Sequence, residues 1–283
     1  MTISDDPLMW VRTESFICTL PKKYFVTLII TGIANENKNI LYEDLNLSEK
    51  IKKERPFLKS CNLLFSSENY QTHPPVRWLI ETKFENCIFI DCDMFVCSEL
   101  YEFEKKIDYL GGVIAYDSPL SLDEWKELFF LFKIKFPNKI YLTNQTKKEC
   151  PFYINFGFII MNNEIKQKIK EKFWLNLEKI KKIKKFQKNY FLAQLALTIT
   201  IYQLNINFKE LPLRYNFPDY NNFENLYQNE FNNIKIFHSL NKKPDFFKLK
   251  DLENYKSNLS LKKNQKLSII LNKIIKQKFK YIL

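Results

Sequence analysis

Glycine is almost missing from this chain: four residues in 283, at positions 32, 111, 112 and 157. With so few, no glycine-rich phosphate loop can be written. There is also no zinc-ligand spacing and no RNP-like aromatic pattern, so nothing specifies nucleic acid as the partner of the net charge of +12. Part of that charge reflects a composition rich in Lys, Asn, Ile and Phe, as an AT-rich coding sequence produces. The six cysteines, at 18, 61, 87, 92, 97 and 150, form no C-x-x-C pair, which excludes a thioredoxin-like motif and points to free thiols in a reducing compartment. No segment approaches the ~18 uninterrupted apolar residues of a membrane span. The start, with Asp5-Asp6-Pro7, has no basic and apolar leader, so a location in the cytosol or on the inner face of its membrane is expected.

Against that background the segment Cys87 to Met94, C-I-F-I-D-C-D-M, stands out. It is an apolar run that ends abruptly in Asp91 and Asp93, one residue apart. In extended chain, alternate side chains share a face, so both carboxylates are expected to point the same way as the strand ends. Two like charges that close favour a cation between them, and oxygen-ligated Mn2+ or Mg2+ with a bound phosphate suits the arrangement. A pair of solvated turn aspartates is the simpler alternative. A haloacid-dehalogenase-type phosphatase, with Asp91 as nucleophile, opens with the same pattern, but no second acidic pair follows another apolar run.

Phe89-Ile90-Asp91-Cys92-Asp93-Met94 resembles the D-x-D signature of GT-A glycosyltransferases. Pro151 to Asn162, P-F-Y-I-N-F-G-F-I-I-M-N, resembles the F-N-x-G stretch of glycosyltransferase family 8, the glycogenin and lipooligosaccharide galactosyltransferase type; Asn155 and Gly157 match it. Ile234 to Pro244, I-K-I-F-H-S-L-N-K-K-P, resembles that family's H-x-x-G-x-x-K-P tail, with Asn241 in place of glycine and the lysine spacing one residue short. The resemblance implies a metal-dependent transferase using a nucleotide-sugar donor, UDP-linked by expectation, and a glycan or glycolipid acceptor. It implies Asp91, Asp93 and His238 as metal ligands, and Arg77 with Lys242 or Lys243 against the diphosphate. Asn155, Gln194 and Asp117 would face sugar or acceptor. Ala193 stands where the family often carries an aspartate before the glutamine. Leu211-Pro212 and Tyr215-Asn216-Phe217 resemble the L-P-x-x-y-N loop that shapes the acceptor side.

Apolar runs and helical periodicities alternate along the chain. Tyr24 to Thr31 reads as a buried strand closing on Gly32, where nucleotide-binding folds place a ligand-facing loop. A helix is expected from Ser48, as N-cap, to Lys59, a strand at Cys61 to Phe65, a helix from His73 to about Phe84, and a strand at Gly112 to Tyr116. This succession predicts an α/β, Rossmann-like GT-A architecture: a mostly parallel central sheet with helices on both faces. Ile165, Ile169, Phe173, Leu177, Ile180 and Ile183 fall at helical spacing, with lysines expected on the solvated face, and a second helix is expected over Tyr190 to Tyr202.

The catalytic domain is expected over residues 1–245 and a basic tail over 246–283. Leu261 to Leu283 holds seven lysines and no acidic residue, with Leu267, Ile270, Leu271, Ile274, Ile275 and Phe279 at helical intervals. Such a helix fits an anionic membrane surface or docks on its own domain. A catalytically silent adaptor of membranes or polyanions is the alternative from outside enzymology.

Overall fold

The computed structural model describes residues 2–3, 13–14, 16–17, 19–31, 33, 41–66, 80, 82, 84–186, 191–220 and 222–240. Its elements in chain order are β1 (Thr2–Ile3), β2 (Val26–Thr31), β3 (Leu41–Tyr42), α1 (Leu45–Glu54), β4 (Cys61–Ser66), β5 (Asn86–Ile90), β6 (Met94–Val96), β7 (Leu110–Ile114), α2 (Leu122–Leu131), β8 (Tyr141–Leu142), β9 (Glu149–Cys150), β10 (Ile154–Asn162), α3 (Asn163–Lys181), α4 (Leu192–Gln203), β11 (Phe208–Glu210), β12 (Phe217–Pro218), α5 (Phe223–Leu226), α6 (Gln228–Asn232) and β13 (Ile236–His238). The chain forms two compact units. The first takes Met1–Arg77, Asp91–Leu100 and Leu213–Leu283, the second Trp78–Ile90 and Tyr101–Pro212.

In the first unit, β2 lies between β1 and β4, parallel to both, and β3 closes the far edge antiparallel to β4. Leu28, Ile29 and Ile30 are wholly buried, as a continuous apolar run requires of a strand covered on both faces. Each contributes about 1.5–3 kcal/mol by leaving water. Helix α1 begins four residues earlier than the sequence suggests. Asp44, not Ser48, is its N-cap, accepting from Leu47 N at 2.9 Å, and Ser48 is buried inside the helix. The helix ends at Glu54 because Arg55 precedes Pro56 and is held at φ −130°, ψ 77°, outside the helical region. A smaller sheet orders β12, β13 and β6, with β13 parallel to β12 and antiparallel to β6. Phe95 stacks on Phe237 across it.

The second unit is built on a sheet ordered β11, β7, β10, β5. Here the direction is mixed: β11 runs parallel to β7, but β10 is antiparallel to both β7 and β5. An apolar run reports burial on both faces and not direction, and β10 is buried at every position but Asn155. Helix α2 opens with a capping box, Ser121 Oγ accepting from Glu124 N while Glu124 accepts from Ser121 N. Asn162 ends β10 and caps α3 at once: its Oδ1 accepts from Ile165 N and its Nδ2 donates to Ile107 O, both at 2.7 Å. Ile165, Ile169, Phe173, Leu177 and Ile180 bury as their spacing predicts. The lysine face is not wholly solvated. Lys168 is exposed and pairs with Glu164, whereas Lys166 is buried and donates to Ile80 O. Seven consecutive residues of α4, Leu195–Ile201, are buried. Of the helix expected from His73 to Phe84 the structure describes Ile80, Thr82 and Phe84, none of them helical. Among the described residues no helix is long and apolar enough to cross a membrane.

Candidate active site

The chain leaves β5 at Ile90, and Asp91 to Asp93 form the turn that leads into β6. Alternation survives the turn: Asp91 and Asp93 are half-buried while Cys92 between them is 3% exposed. What brings a third ligand to them is the antiparallel register of β6 with β13, which sets His238 opposite Met94. Asp93 therefore lies beside the end of β13, and Ser239 N donates to Asp93 O at 2.9 Å. His238 Nε2 is 3.3 Å from Asp93 Oδ1. One ligand atom from each of Asp91, Asp93 and His238 can be chosen so that all lie within 4.8 Å of one another. The expected ligand triad is thus assembled, wholly within the first unit.

Strand β12 supports the same ring from its other side. Asn216, just before it, lies with Oδ1 2.8 Å from His238 Nδ1, and both residues are almost fully buried. Asp219, just after it, brackets the histidine's backbone: Asp219 N donates to His238 O at 3.2 Å, and Asp219 Oδ1 accepts from Leu240 N at 2.9 Å. Burial alone would lower the imidazole's pKa, but the charge and hydrogen bond of Asp93, with the charges of Asp91 and Asp219, outweigh it and leave the pKa raised. Three carboxylates around one buried imidazole leave an excess of negative charge. Two carboxylate donors and one imidazole, with ligand atoms within 4.8 Å of one another, are a donor set that fits Mn2+ or Mg2+.

The remaining residues expected at a site fall in several places. Thr31 ends β2 and is buried, while Gly32 after it lies outside the described residues. So do Arg77, Lys242, Lys243 and the tail 246–283. In the second unit, Asp117 follows β7 and is half-exposed. Its Oδ1 accepts from Thr146 Oγ1 at 2.5 Å and Ser118 N at 2.8 Å, and pairs with Lys148 Nζ at 2.9 Å. Partial burial opposes ionisation, but these donors prevail and hold the carboxyl below its ordinary range. Thr146 and Lys148 come from the loop of the β8–β9 hairpin, which also docks on β7 through Asn144 Nδ2 to Ile114 O. Asn155 sits at the irregularity of β10, where its Oδ1 accepts from Gly157 N at 2.8 Å. Gln194 lies in the first turn of α4, half-buried.

The sequence did not mark Asn216, Asp219, Thr146 or Lys148 as supports. Asn216 was visible only as part of a loop motif. The other three carry no signal of their own, because each is defined by a strand pairing or a hairpin that brings distant chain together.

Residues 76–205 match the family described as the Rhodobacterales glycosyltransferase domain. No curated protein matches the sequence. Among solved structures the fold is similar to the WbbM bifunctional glycosyltransferase, apo, at TM-score 0.53 and 14% identity over 96% of this chain; the chain spans 50% of that protein's length. It is similar to the galactosyltransferase LgtC in complex with donor and acceptor sugar analogs, at TM-score 0.53 and 12% identity, covering 96% of this chain and 94% of that one. It is also similar to the apo-form glycosyltransferase GlyE of Streptococcus pneumoniae TIGR4, at TM-score 0.51 and 16% identity, covering 98% of this chain and 62% of that one. The fold is that of the GT-A glycosyltransferases and resembles family 8, and residues 76–205 of the chain match a glycosyltransferase domain family. The D-x-D-like pair seen in the sequence is present in that fold beside a histidine.

Proposed function

We propose that this protein is a glycosyltransferase that moves a sugar from a nucleotide-diphosphate donor, most simply a UDP-sugar, to a glycan or glycolipid, and that it depends on Mn2+ or Mg2+. The observation that carries the reading is the convergence of Asp91, Asp93 and His238 on a glycosyltransferase fold. A divalent ion held by these three would neutralise the negative charge that grows on the diphosphate as the glycosidic bond breaks.

The chain's own residues divide the remaining work. Asp93 and His238 supply ligand atoms, and Asp91 supplies a further one or bonds the ribose. Thr31 and Gly32 border the nucleotide, and Arg77 with Lys242 or Lys243 adds positive charge toward the phosphates. Asp117 is fixed through one oxygen by Thr146, Ser118 and Lys148, which favours its role as an oriented acceptor for a sugar hydroxyl. Asn155 and Gln194 are assigned to the donor sugar or the acceptor. In this reading residues 1–245 form the catalytic part. The lysine-rich tail 246–283 holds the enzyme on the anionic inner face of the membrane, leaving it otherwise cytoplasmic.

The test is donor hydrolysis: incubate the purified chain with Mn2+ and a panel of UDP- and GDP-sugars and follow nucleotide release. Metal-dependent release from one or a few donors is expected. No release from any donor, with Mn2+ or Mg2+, removes the proposal.

A further inference from the structure

A histidine can face a metal through only one ring nitrogen, so something must decide which nitrogen keeps its proton. In this chain the two nitrogens have unequal surroundings. Nε2 faces the carboxylates, 3.3 Å from Asp93 Oδ1, whereas Nδ1 faces the side-chain amide of Asn216 at 2.8 Å. Asn216 is 0% exposed and His238 2%, so water is not available to replace that contact. An amide oxygen accepts and cannot donate, and an amide nitrogen does the reverse. Asn216 presented through its oxygen therefore keeps the proton on Nδ1 and leaves Nε2 as the nitrogen with a lone pair for a cation. Presented through its nitrogen, it would do the opposite.

We infer that Asn216 is the positioning residue of this site, its Oδ1 accepting the Nδ1 proton of His238 so that Nε2 is committed to the Asp91–Asp93 side. The inference rests on the metal-dependent reading above and deepens it. Oδ1 is the amide atom that lies 2.8 Å from Nδ1, and the backbone holds both residues in place. Asn216 is fixed at the start of β12 by its own N–H, which donates to Leu213 O at 2.9 Å. The histidine is fixed in turn by β13, with His238 in register with both Pro218 and Met94. The ring is thus carried on β13 and the amide on the residue just before β13's partner strand β12. A second partner that orients a ligating imidazole is usually worth 10- to 100-fold in metal affinity.

The experiment has two arms. In the first, His73→Gln leaves His238 as the only histidine, and proton–nitrogen NMR of its ring is recorded on the metal-free protein and on the protein loaded with Zn2+, a diamagnetic substitute for Mn2+. An exchange-protected proton on Nδ1 in both states is expected; a loaded protein whose ring proton sits on Nε2 overturns the inference. In the second arm, Mn2+ affinity is measured by paramagnetic resonance for the parent, Asn216→Leu and Asn216→Asp. Leucine, branched at Cγ like asparagine but without an acceptor, should weaken binding by about 10- to 100-fold. Aspartate, an acceptor only, should hold affinity within a few-fold of the parent. Equal affinity in all three overturns the inference. Should the leucine protein fail to fold, the Asp variant and the Nδ1 proton still decide it. A parent that binds no Mn2+ but keeps the Nδ1 proton sinks the metal reading while leaving the amide's hold on the ring established.

Discussion

His238 Nε2 stands 3.3 Å from Asp93 Oδ1, and the backbone beside it repeats the link, with Ser239 N donating to Asp93 O at 2.9 Å. The two side chains are held by a strand pairing, not by a flexible ion pair, so their separation is a property of the fold. Removing either charge should change the chemistry before it changes the architecture.

Asp93→Asn keeps the shape and the backbone bond while deleting the carboxylate charge. Turnover of the donor should fall by roughly 10²- to 10⁴-fold at saturating Mn2+, the scale of a lost metal contribution to the transition state. Circular dichroism should match the parent. Near-native turnover would exclude Asp93 from the site.

His238→Ala should weaken Mn2+ binding in the presence of nucleotide, measured by calorimetry, and raise the metal concentration needed for half-maximal turnover. The cavity it opens beside Phe237 and Asn216 also lowers the melting temperature of the metal-free protein, so the two readouts must be taken together. Unchanged affinity would make His238 purely structural.

The raised pKa of His238 sets the sign of a pH effect. Burial opposes its protonation, but Asp93, Asp91 and Asp219 favour it more, so the folded pKa lies above the ordinary 6.5. In the metal-free protein its contribution to stability is therefore complete below about pH 6.5 and is lost as pH rises through the folded pKa. Mn2+ must displace the Nε2 proton, so the rise in melting temperature on adding Mn2+ should grow with pH over the same interval. A metal-induced shift that shrinks as pH rises would contradict this arrangement.

Thr146→Val and Lys148→Met together remove two of the donors to Asp117. Its carboxyl pKa should move up toward the ordinary 3.8, as read by carbon NMR of the labelled side chain. The depressed value stabilises the fold above pH 3.8 and that contribution is lost as pH falls through the folded pKa. Because Asp117 and Lys148 are each half-exposed, the stability change should stay within about 1 kcal/mol. Turnover should drop by a larger factor than stability implies, and equal turnover would mean Asp117 serves only the hairpin.

Gly112→Ala probes β7. A Cβ there would sit 2.5 Å from Ile154 Cδ1 and 3.1 Å from Ile154 Cβ and Cγ2. The flexible end can move, but the branch atoms belong to the paired strand, so a loss of about 1–3 kcal/mol is expected in urea unfolding. Adding Ile154→Val, which removes Cδ1, should restore part of it. A substitution without cost would mean β7 and β10 are less closely packed than the register indicates.

Much of the site was legible because its residues are scarce and sit at the ends of apolar runs. Asp91 and Asp93 end the run that forms β5, and His238 ends the run that forms β13. The buried face of α3 was equally plain from its spacing, and so was the strand at β2. Local capping was less so. Asp44 and Ser48 are both good cap residues, and the choice fell to the one whose carboxylate meets Leu47 N. Lys166 was misread as solvated, since nothing in a helical pattern shows that Ile80 O waits to accept from it.

By itself the sequence determined which segments are buried, where two carboxylates and one histidine end apolar runs, and which transferase fold they resemble. Those are consequences of local pattern: side-chain alternation, helical period and the cost of burying charge. Only the tertiary structure decided that β10 runs antiparallel, that Thr146 and Lys148 anchor Asp117, and that Asn216 faces one nitrogen of His238 while Asp93 faces the other. Strand direction and cross-strand partners arise from pairing between segments far apart in the chain, and a hydrogen bond between such segments leaves no periodic trace in either.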